Sequence, residues 1–258
     1  MFWENVWALK REEVRRRKGR ISFSELERRI RSLPPPRPFM EIFKNRGGMA
    51  IIAEIKRASP SAGWIRKEID IPSRAAQYEA AGASAISVLT ERNFFGGELR
   101  HLRMAKENSS LPILQKDFIL DPYQVYEGRF WGADAILLIA SRLEKSELEE
   151  FVRCLRDLSL TPFVEIHGEE DLEKIAGLGL PILGINNRDL KSLQVDLGVT
   201  LRLIPKVPRQ IKVVSESGIR SGEEVRALRD AGVKGILVGE VLMRASDAGP
   251  KLRELLRP

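Results

Sequence analysis

A glutamate and a lysine stand two residues apart at the end of an apolar run, MAIIAEIK (49–56). In an extended strand, residues two apart point to the same side, so Glu54 and Lys56 share one face. A Ser/Pro/Gly loop follows, with Ser59, Pro60, Ser61 and Gly63. A carboxylate and an ammonium delivered to one spot can act as general base and general acid. A structural ion pair capping a strand would explain one such pair equally well. The pattern recurs, however. Later apolar runs end in Thr90 and Glu91, in Lys116 and Asp117, in Glu165, in Asn186, Asn187 and Arg188, and in Ser215, Glu216, Ser217 and Gly218. Buried charges are costly unless paired, so charged strand ends converging on one rim point to chemistry more than to stability.

The elements that must position these residues follow from periodicity. Apolar runs at 49–56, 84–90, 112–117, 133–139, 161–167, 182–187, 211–217 and 235–240 read as strands. Helical stretches at 72–81, 98–108, 122–131, 145–158, 169–178, 198–204, 222–231 and 248–256 alternate with them. Continuous apolar strands between helices imply a parallel sheet covered on both faces. Eight such repeats fit an α/β fold of the closed (β/α)8, or TIM-barrel, type. An open doubly wound sheet is the alternative, but no GxGxxG follows the first strand. Ahead of the repeats, residues 2–18 read as a helix with Phe2, Val6, Leu9 and Val14 on its apolar side, and 22–31 as a second, with Ser22 or Ser24 as N-cap. PPPRP (34–38) follows as a stiff linker. The expectation is one barrel domain over 1–258, with residues 1–46 as a helical extension packed over its mouth.

Composition narrows the function. The net charge is +7, and residues 1–46 hold 13 of the 43 Lys/Arg but only 6 of the 36 Asp/Glu, so the whole excess sits on the arm and the remainder is balanced. No zinc-finger, basic-zipper or aromatic RNA-binding pattern accompanies it, which argues against nucleic acid as a partner. One cysteine, Cys154, and two histidines exclude a disulfide and make a metal site unexpected. No apolar run is long enough to span a membrane, and the N-terminus does not read as a secretory signal. A cytoplasmic monomer acting on a small molecule is expected.

SESGI (215–219) and VGE (238–240) place small residues after the last two strands, where barrels of this type often bind phosphate. Residues 240–243 could form a short extra helix there. Bland readings stand beside these: Asp117 and Arg188 pairing with each other, His167 as a strand-end hydrogen bonder, His101 on a solvated helix, and Phe94, Phe95 and Phe118 as core or as walls around a ring-shaped substrate.

Taken together, AEIKRASPS (53–61), LTERNFFGG (89–97), PILQKDFILDPYQ (112–124), GADAILLIA (132–140), VEIH (164–167), GINNRDL (184–190), VSESGI (214–219) and LVGEVLM (237–243) resemble the indole-3-glycerol-phosphate synthase family of tryptophan biosynthesis over nearly the whole chain. The resemblance implies a carboxy-lyase that closes, decarboxylates and dehydrates 1-(2-carboxyphenylamino)-1-deoxyribulose 5-phosphate, with no cofactor or metal. It makes Lys116 the acid at the ketone, Lys56 a second lysine near the phosphate that assists dehydration, and Glu165 the base. Glu54 and Asn186 would orient substrate and proton carriers, and Glu216 would support them. Ser59, Ser217, Gly218, Gly239 and Glu240 match the phosphate pocket, although many relatives carry Ser at the position of Glu240. Arg188 would meet the substrate carboxylate, and Phe95, Phe118, Leu137 and Leu190 would line its ring. A second lysine and burial are expected to lower the pKa of Lys116 toward neutrality. The alternatives are another phosphate-binding barrel isomerase or lyase of the same pathway, or a non-catalytic anion binder led by the basic arm.

Overall fold

Eight parallel strands close into a barrel in a computed structural model of the protein, which describes residues 2–44 and 48–256. The strands are β1 (Ala50–Ile55), β2 (Ala85–Leu89), β3 (Ile113–Lys116), β4 (Ala135–Ile139), β5 (Thr161–Ile166), β6 (Ile182–Asn186), β7 (Lys212–Glu216) and β8 (Gly235–Val238), and β1 pairs with both β2 and β8 to close the ring. Every strand lies inside its expected span. The helices are α1 (Phe2–Arg20), α2 (Phe23–Ile30), α3 (Ile71–Ala80), α4 (Arg100–Glu107), α5 (Pro122–Trp131), α6 (Lys145–Asp157), α7 (Glu169–Ile175), α8 (Gly198–Leu203), α9 (Gly222–Asp230), α10 (Glu240–Arg244) and α11 (Gly249–Leu256). None of the described helices is long and apolar enough to cross a membrane.

The two-residue period of the strands divides the core. Ile51, Ala53 and Ile55 face outward and pack with the helix residues Ala75, Tyr78, Leu102, Val125 and Leu148. Ile52, Leu114, Leu137, Phe163, Val214 and Leu237 face inward and fill the barrel. Continuing the inward parity to the strand ends gives Glu54, Lys116, Glu165, Asn186 and Glu216. The apolar interior is thus a floor on which polar side chains stand. Helix entry is set locally: Asp70 and Asp121, each followed within two residues by Pro, accept N–H bonds from Ser73 and Tyr123, and Ser221 with Glu224 forms a capping box.

The segment before the barrel takes a route that its composition did not disclose. The first part of α1 lies beside the mouth, where Trp7 meets Phe118 edge-on at 5.1 Å. Its end and α2 run along α5, with Arg17 3.3 Å from Glu127 and Leu26 buried against Tyr123. Ser22, not Ser24, caps α2. Residues 34–43 then pass under the opposite end. Arg37 bonds the carbonyls of Lys106, Ser109 and Leu111, and Phe39 closes the floor, edge-on to Phe163. Only the first part of the extension therefore sits at the mouth. Val6 and Val14 are buried as expected, but Leu9 is 46% exposed, so the apolar stripe is narrower than the periodicity implied. The Phe2 side chain lies outside the described residues. His101, expected in solvent, is buried on the inner side of α4, and burial lowers its pKa.

Candidate active site

The polar strand ends meet at the C-terminal mouth, around Lys116 at the end of β3. Its ammonium contacts Glu216 from β7, lies 3.4 Å from Glu165 of β5 and 4.0 Å from Glu54 of β1. Glu54 in turn pairs with Lys56 at 2.6 Å. Glu165 has two further neighbours: His167 Nε2 at 3.3 Å, and the Asn186 side chain, which hydrogen-bonds it. Asn186 Oδ1 accepts the N–H of Arg188. Residues up to 162 positions apart are joined here by strand order alone, through the three pairings that bring β6, β7 and β8 round to β1.

The charges set each other's protonation. Burial alone would lower the pKa of Lys116, but Glu216, Glu165 and Glu54 outweigh it and raise the ammonium above its usual range. The expected tuning toward neutrality is therefore reversed: Lys56 spends its charge on Glu54, and three carboxylates dominate. Burial pushes Glu165 and Glu54 up, yet Lys116 and His167 for the first, and Lys56 and Lys116 for the second, hold both below the ordinary carboxylate value. Burial would also lower His167, but Glu165 raises it. Glu216 goes the other way. Fully buried, and beside Glu165 and Glu54 as well as Lys116, its pKa rises from 4.5 to about 7.

That shift has a signed consequence. Between pH 4.5 and about 7 the folded protein holds a proton on Glu216 that the unfolded chain has released, so this group's contribution to stability falls as pH rises across that window. We expect Glu216→Gln to remove that part of the decline. Denaturant titrations of parent and variant at pH 5 and 7.5 measure it, and parallel pH dependence in the two proteins would refute it.

A cavity of about 600 Å³ opens above the cluster. It is lined by Glu54, Lys56, Lys116, Glu165 and Asn186 at its base, by Ser59, Ser217, Gly218, Gly239 and Glu240 on one side, and by Phe95, Phe118, Leu137, Leu190 and Arg188 elsewhere. Among the site residues that the resemblance implied, Glu216 alone does not line it: it lies beneath, fully buried, and touches Lys116. Glu216 is thus placed to position Lys116. Arg188 does not pair with Asp117. Its guanidinium donates to the Leu193 carbonyl, and Asp117 instead takes Lys10 of α1 at 2.8 Å.

Two glycines make room for the carboxylates. A Cβ on Gly239 would lie 2.1 Å from Glu54 Oε2, and one on Gly184 would lie 2.1 Å from Glu216 Oε1. We expect Gly239→Ala to push Glu54 off Lys56. The predicted result is a stability loss of about 1–3 kcal/mol from overpacking together with reduced turnover. Thermal unfolding and steady-state kinetics check it, and parental kinetics would show that Glu54 tolerates displacement.

Two polar strand-end residues noted in the sequence, but assigned no role there, also contribute. Glu91 accepts the N–H groups of Asn93, Phe94 and Phe95, fixing the turn that carries the Phe95 wall. Asn187 is buried and donates to Ser215 Oγ and to the Glu216 and Ser217 carbonyls, holding Ser217 at φ 70°. Both are polar residues at strand ends, so the signal was present. A short antiparallel pair, Ala58–Ser59 with Gly63–Trp64, shapes the loop after β1 and was not expected. The short helix α10 forms after β8, and Arg244 on it pairs with Glu240 at 2.9 Å.

Fold and site together define a (β/α)8-barrel protein with a buried lysine–carboxylate cluster at the C-terminal mouth. The model of the indole-3-glycerol phosphate synthase family matches residues 3–255, and the chain belongs to that family. It is 44% identical to the indole-3-glycerol phosphate synthase of Acidithiobacillus ferrooxidans, over 98% of this chain and 97% of the relative. It is 42% identical to that of Desulforamulus reducens, over 99% and 97%. Among solved structures, 3-hexulose-6-phosphate synthase from Salmonella typhimurium superimposes with a TM-score of 0.64 at 14% identity, covering 81% of this chain and 97% of that one, a likeness of fold.

Proposed function

We propose that the protein is an indole-3-glycerol-phosphate synthase acting on 1-(2-carboxyphenylamino)-1-deoxyribulose 5-phosphate. The observation that carries the reading is the contact of one buried ammonium, Lys116, with carboxylates from three strands at the base of a cavity with an apolar side and a small-residue, polar side. The phosphate would sit against Ser59, Ser217, Gly218, Gly239 and the backbone of Glu240. The aromatic ring would lie among Phe95, Phe118, Leu137 and Leu190, with its carboxylate toward Arg188.

The ring carbon bearing the carboxylate attacks the ketone carbon, and the carbonyl electron pair moves to oxygen. Lys116, held charged by its three neighbours, stabilises that oxygen electrostatically and protonates it. A strong acid is not required there, because a developing alkoxide is far more basic than an amine. The carboxylate leaves as CO2, and the electrons of the broken bond restore the aromatic ring. In the last step a proton from Lys56 lets the new hydroxyl leave as water, while Glu165 removes the proton from the adjacent carbon. One proton is consumed overall, CO2 and water are released, and no redox change occurs. Asn186 and His167 hold Glu165 for its role, and Glu216 holds Lys116. We further propose that α1 shields the mouth.

The test is to supply this substrate to the purified protein and follow the appearance of indole fluorescence. Sustained formation of the indole product supports the reading. A folded protein that binds the substrate and yields no indole would overturn it, as expected of a non-catalytic anion binder.

A further inference from the structure

The basic arm delivers one lysine that is not at the surface. Lys10 of α1 is 1% exposed, and its ammonium lies 2.8 Å from both Glu13 and Asp117. It does not line the cavity, whereas Asp117 and Phe118 do. Asp117 is the residue after Lys116, and its carboxylate is a junction. One oxygen accepts the Phe118 N–H at 2.8 Å and the other accepts Thr90 Oγ at 2.6 Å, tying the end of β3 to the end of β2. Thr90 in turn accepts from Gln115 Nε2. Trp7, one turn before Lys10, packs edge-on against Phe118. Asp117 would otherwise be one more carboxylate at a rim that already holds Glu54, Glu165 and Glu216.

The geometry points to Lys10 as a positioning residue for the reaction: by neutralising and anchoring Asp117, it sets the Phe118 wall and the strand end from which Lys116 projects. The helix α1 thus contributes to turnover, and not only to cover. Burial would lower the Lys10 pKa, but Asp117 and Glu13 outweigh it, so the ammonium stays charged across the working range. The inference rests on the catalytic reading of Lys116.

The experiment compares the parent with K10M, D117N and K10M/D117N, well below their unfolding temperatures. K10M keeps the length of the side chain and removes its charge. We expect kcat to fall about ten- to a hundredfold, the scale of a misplaced reacting group, and KM for the aromatic substrate to rise. The inhibition constant of inorganic phosphate should stay at the parental value, because Ser217 and Gly239 follow β7 and β8, away from the end of β3. In the D117N background, K10M should cost no more than about twofold further, as expected when two residues act through one contact. K10M at parental kcat and KM overturns the proposal. So does phosphate inhibition weakening in step with KM, which marks general loosening. Where K10M alone does not fold, D117N and the double variant decide: both about tenfold or more below the parent and equal to one another support it, and D117N at the parental kcat overturns it. A parent that forms no indole would remove the catalytic reading itself, an outcome distinct from a fully active K10M.

Discussion

Lys116→Met is expected to lower turnover about a thousandfold or more, toward the upper end of what a single general acid contributes. Among the described residues the ammonium is the only cation paired with Glu216, and it neutralises Glu165 and part of Glu54 as well. In the proposed mechanism its removal takes away both the proton donor and the charge that stabilises the developing alkoxide. It also leaves the buried carboxylate of Glu216 without its cation, and breaking such a pair costs about 3–5 kcal/mol. The fold can relieve part of this by holding the proton on Glu216, whose pKa is already raised to about 7. The variant should therefore stay folded, with lowered stability and with stability falling more steeply as pH rises. Single-turnover formation of indole measures the chemical step apart from binding. Turnover within tenfold of the parent would show that the ketone oxygen is protonated by another group, with Lys56 the first candidate. Lys116→Arg keeps the charge but replaces a compact donor with a broad planar one. It should retain the stability and lose most of the turnover, which separates charge from geometry.

Glu165→Gln is expected to lower turnover about a hundred- to ten-thousandfold with little change in KM. The amide keeps the shape and can still bond Asn186, but it cannot take a proton. Lys116 retains Glu216 and Glu54 as partners, so the loss of stability is smaller than for Lys116→Met. The pH dependence provides an independent check. Glu165 is held below the ordinary carboxylate value, mainly by Lys116 and then by His167, against the upward pull of burial. A group depressed in this way stabilises the fold above its unfolded pKa, and that contribution is lost as pH falls through the folded value. The variant should consequently lose less stability than the parent as pH falls below the unfolded carboxylate value of 4.5. The opposite slope of Glu216 makes the two carboxylates distinguishable in one set of denaturation curves. Unchanged turnover would transfer the base role to another group, and parallel acid sensitivity in parent and variant would show that Glu165 is not charged in the folded state.

The barrel was legible because its information is local. The runs at 50–55 and 212–216 are written in adjacent residues, and so is the two-residue parity that carries Glu54 and Glu216 to the mouth. The capping residues Asp70, Asp121 and Ser221 are likewise local, which is why the helix starts fell within a residue or two of expectation. The residues that do the proposed chemistry were visible for the same reason: a charged side chain at the end of a buried strand is conspicuous in one dimension.

What only the tertiary structure decided is which of those charges meet. Nothing in NNRDL, RHLRM or KREEV marks Arg188 for the Leu193 carbonyl, His101 for the interior, or Lys10 for Asp117. The sign of the Lys116 shift depended on this as well. From sequence, two lysines near one another suggested mutual repulsion, but three carboxylates from β1, β5 and β7 reach Lys116 and the second lysine is occupied by Glu54. A protonation state follows from distances between chains of residues far apart in sequence, and those distances exist only once the barrel has closed.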